Sequence, residues 1–302
     1  MTDLTTSLGP LRLRNPVLTA SGTCGYGEEL AEVFALAALG GIVTKTVTSA
    51  PRAGNAPPRV CETTAGMLNS IGLQNVGLEA FIAEKVPFLR RFDVPLIANI
   101  AGDSVDDFAA MARRLDQCEG IAAIELNLSC PNVAGGLDFS TKPELTRATV
   151  AAVKAATKLP IIAKLSPNVT DVVEIARAAE AGGADAVSLI NTLVGMSIEI
   201  ENRKSKIKNC FGGLSGPAIK PVALRMVYQV ASAVRLPVVG IGGISTADDA
   251  IEFLMAGASA VQVGTATFAN PRATVEIIAE LDQWLTRHGV ASVTELVGCA
   301  HV

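Results

Sequence analysis

The chain has 302 residues, a formal net charge of −4, 49% hydrophobic residues and only 4% aromatic ones. That length suits one α/β barrel, which takes about 250 residues, and the composition predicts a core of Ala, Val, Ile and Leu, as in a parallel sheet covered by helices. The charge gives neither a nucleic-acid footprint nor a polybasic membrane anchor, and no apolar run reaches the roughly 18 residues that a membrane-spanning helix needs.

The first residues, Met1 to Thr6, have neither the basic start nor the apolar core of a signal peptide. Val17–Ala20 is the first predicted strand and runs into Ser21-Gly22; Gly41–Lys45 is the second and presents Lys45 and Thr46. The stretch 46–76 is long for a connection and holds Pro51, Pro57 and Pro58 ahead of Gly66-Met-Leu-Asn-Ser-Ile-Gly-Leu-Gln-Asn75. Leu96–Ile100, the third strand, carries Asn99, and Ser104-Val-Asp-Asp107 reads as a capping box that opens a helix. The fourth strand, Ala122–Leu126, delivers Asn127-Leu-Ser-Cys-Pro-Asn132 to the loop beyond it. Glu125 on this strand should face opposite to Leu126.

Pro143 fits the first turn of the next helix. Ile161–Leu165, the fifth strand, carries Lys164, and the helical pattern after it stops at Gly182-Gly183. The sixth strand, Ala186–Ile190, delivers Asn191 and Thr192 and opens a second long connection, 192–216. Within that connection Arg203-Lys-Ser-Lys-Ile-Lys208 is a basic run in an otherwise acidic chain, read either as a solvated loop or as a lid or partner-facing edge. Pro217 again fits a first helical turn. The last two strands, Val238–Ile241 and Ala260–Val263, end in Gly242-Gly243 and Gly264-Thr265, with a Thr246-Ala-Asp-Asp249 capping box between them.

Eight strands alternating with helices predict a (β/α)8 TIM barrel over a single domain, 1–302, with extended loops at the C-terminal face. An open doubly wound sheet is the competing arrangement. Barrel enzymes build their sites on the C-terminal face, and here every strand end offers a small, amide or cationic residue. Gly240-Ile-Gly-Gly-Ile-Ser245 and Val263-Gly-Thr-Ala266 follow strands seven and eight, where barrels hold phosphate on backbone amides. Asparagines with Thr46 suit a flat, amide-rich ring, and Lys164 would set positive charge beside a ring that gains negative charge on reduction. That combination points to FMN. Cys130, bracketed by Asn127 and Asn132, is a candidate nucleophile or proton acceptor. The near absence of acids at the mouth argues against a metal site and for an anionic substrate. The six cysteines are scattered without a Cys-x-x-Cys pair, which predicts a reduced, cytoplasmic chain without its own zinc or iron–sulfur site. His288 and His301 lie outside every motif.

Asn69-Ser-Ile-Gly-Leu-Gln-Asn75, Asn127-Leu-Ser-Cys-Pro-Asn132, Lys164-Leu-Ser-Pro-Asn168, Gly213-Leu-Ser-Gly-Pro217 and Gly240-Ile-Gly-Gly243 together resemble the dihydroorotate dehydrogenases of pyrimidine biosynthesis. A cysteine at position 130 resembles the cytosolic class 1 enzymes. Ser21-Gly-Thr-Cys-Gly-Tyr-Gly-Glu-Glu29 and Ile190-Asn-Thr-Leu-Val-Gly-Met196 resemble the NAD-linked class 1B, whose catalytic chain pairs with a subunit carrying FAD and a [2Fe–2S] cluster. The resemblance implies that Cys130 removes the C5 proton of dihydroorotate while the C6 hydride leaves for N5 of FMN. It implies a substrate site of Lys45, Asn69, Ser70, Ile71, Gly72, Leu73, Asn127, Asn132, Asn191 and Thr192. It implies an FMN site of Ser21, Lys45, Thr46, Asn99, Asn127, Lys164, Ile190, Gly216, Gly242, Gly243, Gly264 and Thr265. It also implies a homodimer core within a heterotetramer. A thiol titrates near ~8.5, so catalysis by Cys130 should rise with pH unless its surroundings activate it. The fumarate-linked class 1A enzymes, a uracil or thymine reductase and a non-catalytic phosphate-binding barrel remain as alternatives.

Overall fold

The computed structural model describes residues 2–128 and 141–302. Two short strands, β1 (Thr6–Leu8) and β2 (Leu11–Leu13), form an antiparallel hairpin at the start of the chain. The barrel wall follows. Its strands are β3 (Val17–Thr19), β4 (Ile42–Val43), β7 (Leu96–Ile100), β8 (Ala123–Asn127), β9 (Ile161–Lys164), β10 (Ala186–Leu189), β15 (Val238–Ile241) and β16 (Ala258–Val263). They pair in parallel in the order β3-β16-β15-β10-β9-β8-β7-β4. A parallel bridge between Leu18 and Gly41 joins β3 back to β4, so the sheet closes. The eight strands are those expected from the apolar runs, and closure decides for the barrel over the open sheet.

Between the wall strands lie β5 (Val60–Thr63) and β6 (Gly66–Asn69) in the first long connection. The second long connection holds β11 (Leu193–Met196), β12 (Ile198–Glu199), β13 (Lys204–Ser205) and β14 (Phe211–Ser215). These two connections are not independent loops. β6 pairs with β14, giving an antiparallel sheet β11-β14-β6-β5 in which Asn69 faces Gly213 and Met67 faces Ser215. This sheet roofs the mouth, and the basic run falls on the β12–β13 hairpin beside it.

Side chains that point into the barrel form layers, because residues two apart on a strand share a face. The lowest layer is apolar: Leu18, Val43, Ile97, Ala123, Ile162, Val239 and Ala260 pack on Leu8, Leu11 and Leu13 of the hairpin, which plugs the N-terminal end. On four of the strands the next inward layer is polar, with Asn99, Glu125, Ser188 and Gln262, and the Lys164 ammonium reaches this layer from above. Above it lies the mouth. Outside the wall, Leu126, Ile124, Ile161 and Val187 pack with helix residues such as Phe108 and Val150 in the main core.

The helix signals work as local chemistry predicts, with two differences. Thr246 makes the full reciprocal capping box with Asp249, whereas Ser104 caps the Val105–Asp116 helix alone and Asp107 accepts from the Asp103 amide instead. Pro217 opens a 3-10 turn, and the helix proper begins at Lys220. Among the described residues no helix is long and apolar enough to cross a membrane.

Candidate active site

A cavity of about 430 Å³ lies between the barrel mouth and the roof sheet, within the range of about 300–1,000 Å³ usual for ligand pockets. Seventeen predicted site residues line it: Ser21, Lys45, Thr46, Asn69, Ile71, Gly72, Leu73, Asn127, Lys164, Ile190, Asn191, Thr192, Gly216, Gly242, Gly243, Gly264 and Thr265. They arrive from the ends of wall strands and from the roof, so residues almost 250 positions apart meet at one place.

Their polar groups are already joined. Ser21 Oγ lies 3.3 Å from Thr46 Oγ1, which accepts from Asn127 Nδ2 at 3.4 Å, and Asn127 Oδ1 in turn accepts from Asn191 Nδ2 at 3.4 Å. Asn191 Oδ1 accepts the Thr192 amide at 2.7 Å. This chain crosses the mouth from β3 to β10 and fixes two carboxamides in orientation. On the roof side Asn69 Nδ2 donates to the Gly213 carbonyl at 3.4 Å.

Two lysines face the cavity in different circumstances. Lys164 is buried, and its ammonium lies 3.5 Å from Glu125 Oε1, the carboxylate one layer below. Lys45 has no carboxylate within ion-pair distance among the described residues. Burial holds its ammonium below the ordinary lysine value, and the neighbouring Lys164 and Arg59 cations push the same way. No acid is present among the described lining residues, so the cavity presents cationic and amide groups to whatever enters.

Glycines shape the side of the cavity formed by β14, β15 and β16. Gly216, Gly242 and Gly243 have φ of 97°, 132° and 75°, a region that L side chains avoid. A Cβ on Gly243 would stand 2.8 Å from the Lys220 Cβ and 2.9 Å from the Gly216 carbonyl. Close backbone approach therefore requires glycine here, and it leaves main-chain groups bare to the cavity. Thr265 Oγ1 donates to Ser215 Oγ at 2.8 Å, tying β16 to the roof.

Two predicted residues, Asn99 and Ser70, do not line the cavity. Asn99 is in the polar layer below the cavity, where its Nδ2 donates to Glu125 at 2.6 Å; it shares a strand face with Ile97, so it points into the barrel one step too deep to line the cavity. Ser70 is buried beside β6, with its amide bonded to the Arg59 carbonyl and its own carbonyl accepting from Asn55. Cys130 and Asn132 lie outside the described residues. The sequence reading passed over Ser166 and Asn168 as site residues, although both fall in a quoted motif and line the cavity. Asn168 Nδ2 donates to the Thr192 carbonyl and its Oδ1 accepts the Val194 amide, both at 3.0 Å, which seats the first roof strand on the wall. Phe268 and Phe211 at the rim carried no signal in the sequence.

Residues 3–285 match the dihydroorotate dehydrogenase family. The chain belongs to that family. Among its relatives, the dihydroorotate dehydrogenase B (NAD(+)) catalytic subunit of Desulforudis audaxviator is 57% identical over 98% of this chain and 96% of its own length. The protein of the same name from Pelobacter propionicus is 57% identical over 98% of each chain. A third, from Trichlorobacter lovleyi, is 56% identical over 98% of this chain and 97% of its own length. As a dihydroorotate dehydrogenase the chain is an oxidoreductase, and the NAD-linked subclass expected from Ser21–Glu29 and Ile190–Met196 is the one these relatives carry in their names.

Proposed function

We propose that this chain, as one domain over 1–302, is the catalytic subunit of an NAD-linked dihydroorotate dehydrogenase, oxidising dihydroorotate to orotate in pyrimidine biosynthesis with FMN as its own cofactor. The observation that carries the reading is a mouth in which, among the described residues, no acid lines the cavity and Lys45 has no carboxylate within ion-pair distance, while a fixed pair of carboxamides, Asn127 and Asn191, faces the same cavity. Dihydroorotate is a ring rich in amide groups, puckered at its tetrahedral C5 and C6 and bearing a carboxylate, and these groups match it. Lys45 meets the carboxylate by a charge-assisted hydrogen bond, while Asn69, Asn127, Asn191 and, beyond the described residues, Asn132 meet the ring amides. Ile71, Gly72, Leu73 and Thr192 close over it, and Ser70 supports that segment from beneath.

The residues also fit FMN. The cradle at Gly216, Gly242, Gly243, Gly264 and Thr265 is packed so closely that a Cβ at Gly242 would collide with Ala223 and one at Gly243 with Lys220 and the Gly216 carbonyl, and bare amides are what a phosphate needs. Ser21, Thr46, Asn127 and Ile190 border the space for the ring, with Lys164 at its floor and Asn99 behind. When bound, FMN would supply the acceptor for the substrate hydride.

This chain's residues do the rest. Cys130 takes the C5 proton as the C6 hydride departs, so that the C5–C6 double bond forms. Lys164 holds positive charge where negative charge arrives with the electrons. The roof excludes water from the exchange. Electrons then leave for NAD through a partner subunit bearing FAD and a [2Fe–2S] cluster, on a homodimer core within a heterotetramer; the relatives' designation as a catalytic subunit supports a partner. Cys24, Cys61, Cys118, Cys210 and Cys299 are unbridged, in keeping with the cytoplasm.

Anaerobic addition of dihydroorotate to the purified chain should bleach its flavin band, and Cys130→Ala should keep the FMN yet be reduced ~10²–10⁴-fold more slowly, the usual contribution of a positioned base. A flavin that stays oxidised with dihydroorotate would reject this substrate. An unchanged reduction rate in Cys130→Ala would remove the thiol from the chemistry.

A further inference from the structure

Glu125 is a fully buried carboxylate that the proposed reaction leaves without a task. Its Oε1 accepts from Asn99 Nδ2 at 2.6 Å and lies 3.5 Å from Lys164 Nζ; its Oε2 accepts from Gln262 Nε2 at 2.6 Å and Ser188 Oγ at 2.9 Å. These partners come from β7, β9, β10 and β16, so the carboxylate is held from several sides of the barrel. Beneath it is the apolar plug, and above it Lys164 lines the cavity floor. Burying a charge is costly unless it is paired and hydrogen-bonded, and a buried ion pair of this kind adds little stability over apolar packing. Stability alone therefore does not account for a carboxylate in the centre of the barrel.

We propose that Glu125 is a positioning residue for the flavin reaction: it fixes the Lys164 ammonium at the cavity floor and, by opposing its charge, lowers the reduction potential of the bound cofactor. The inference rests on the FMN reading of the site. Lys164 alone favours the reduced ring, which carries more negative charge than the oxidised ring. A carboxylate within ion-pair distance in a buried layer offsets much of that preference, since buried charges are little screened. The pair sets a potential from which electrons pass onward more readily.

The layer also tolerates loss of the charge. Among the described residues Asn99 Oδ1 and Gln262 Oε1 have no hydrogen-bond partner, so either amide can turn and accept from the new side chain of Glu125→Gln.

The test is the midpoint potential of FMN in the full chain, titrated against a redox dye, for the wild type, Glu125→Gln, Lys164→Gln and the double variant. Glu125→Gln should favour reduced over oxidised FMN by about tenfold, a rise of about 30 mV for a two-electron couple. With Lys164 replaced, the same change should leave the potential where it was. An unmoved potential in Glu125→Gln overturns the proposal, and so does an equal rise in both backgrounds, because Glu125 would then not act through Lys164. Should Glu125→Gln fail to fold or to retain FMN, Glu125→Asp, which withdraws the charge from Lys164 by one methylene, should give a smaller rise; no rise, or failure of both variants to fold, makes the carboxylate structural and overturns the tuning role. A wild-type chain that takes up no FMN on reconstitution would overturn the FMN reading itself, a result distinct from all of these.

Discussion

Seven of the eight wall strands are buried at every residue, and the eighth at all but Ser259. The roof sheet differs: Val60, Val194, Met196 and Phe211 stand exposed on it, Val194 and Phe211 at 59% and 61%. The wall is held by apolar burial on its outer face and by a layered plug within. The roof is held mainly by backbone pairing, by glycines that let strands approach, and by single polar ties such as Asn168 to Val194 and Thr265 to Ser215. The wall therefore fixes where functional groups stand, while the roof decides what covers them. Stability and ligand chemistry should separate along that line.

The sharpest test falls on the wall. Phe253 is fully buried in the helix behind β15 and packs against Gly240, whose Cβ, if present, would lie 2.5 Å from its ring. Phe253→Ala should cost ~3–5 kcal/mol, read from denaturant melts; a cost below ~1 kcal/mol would show a wall far more plastic than its burial implies. Next in size is Lys45, at the junction of wall and roof. Lys45→Met should weaken orotate binding by ~1.5–3 kcal/mol, the worth of a hydrogen bond to a charged group, or about 10–100-fold.

The same lysine gives binding a pH dependence. An anion binds the protonated ammonium, and Lys45 sheds its proton below the ordinary lysine value. Orotate affinity should thus be full at low pH and fall as pH rises through that lowered pKa, a fall that Lys45→Met should remove. Proton removal by Cys130 runs the other way, rising with pH, so equilibrium titration with orotate separates the two. Persistence of the fall in Lys45→Met would assign it to another group.

Gly242→Ala tests the cradle. At φ 132°, with a Cβ only 2.7 Å from that of Ala223, the substitution should cost ~1–3 kcal/mol and loosen FMN. A variant as stable as the wild type and still holding FMN would show that the backbone does not need glycine there. On the roof, Met196→Thr, at a 48% exposed strand position, should shift stability by no more than about 0.5 kcal/mol. A larger loss would mean that the roof face is covered in the working protein.

All eight wall strands were legible because each is an apolar run bounded by a polar or glycine-rich turn, and such runs are set by local burial. Most of the site was legible for the same reason: a residue just beyond a barrel strand has only the mouth to occupy. Asn99 marks where that reasoning stops, since choosing between lining the cavity and lying beneath it depends on one step of pleat. The roof strands gave no such signal. Gly66–Asn69 and Phe211–Ser215 are short, glycine-containing and half-buried, and each reads as loop alone.

The sequence by itself thus determined the barrel, its C-terminal mouth and the groups gathered there, because side-chain periodicity and strand-end chemistry are local properties. Only the tertiary structure decided that the two long connections join through Asn69 and Gly213, and that Glu125 binds Asn99, Lys164, Ser188 and Gln262. Both depend on pairing between segments far apart in the chain, whose backbone and polar partners exist only once the barrel has closed.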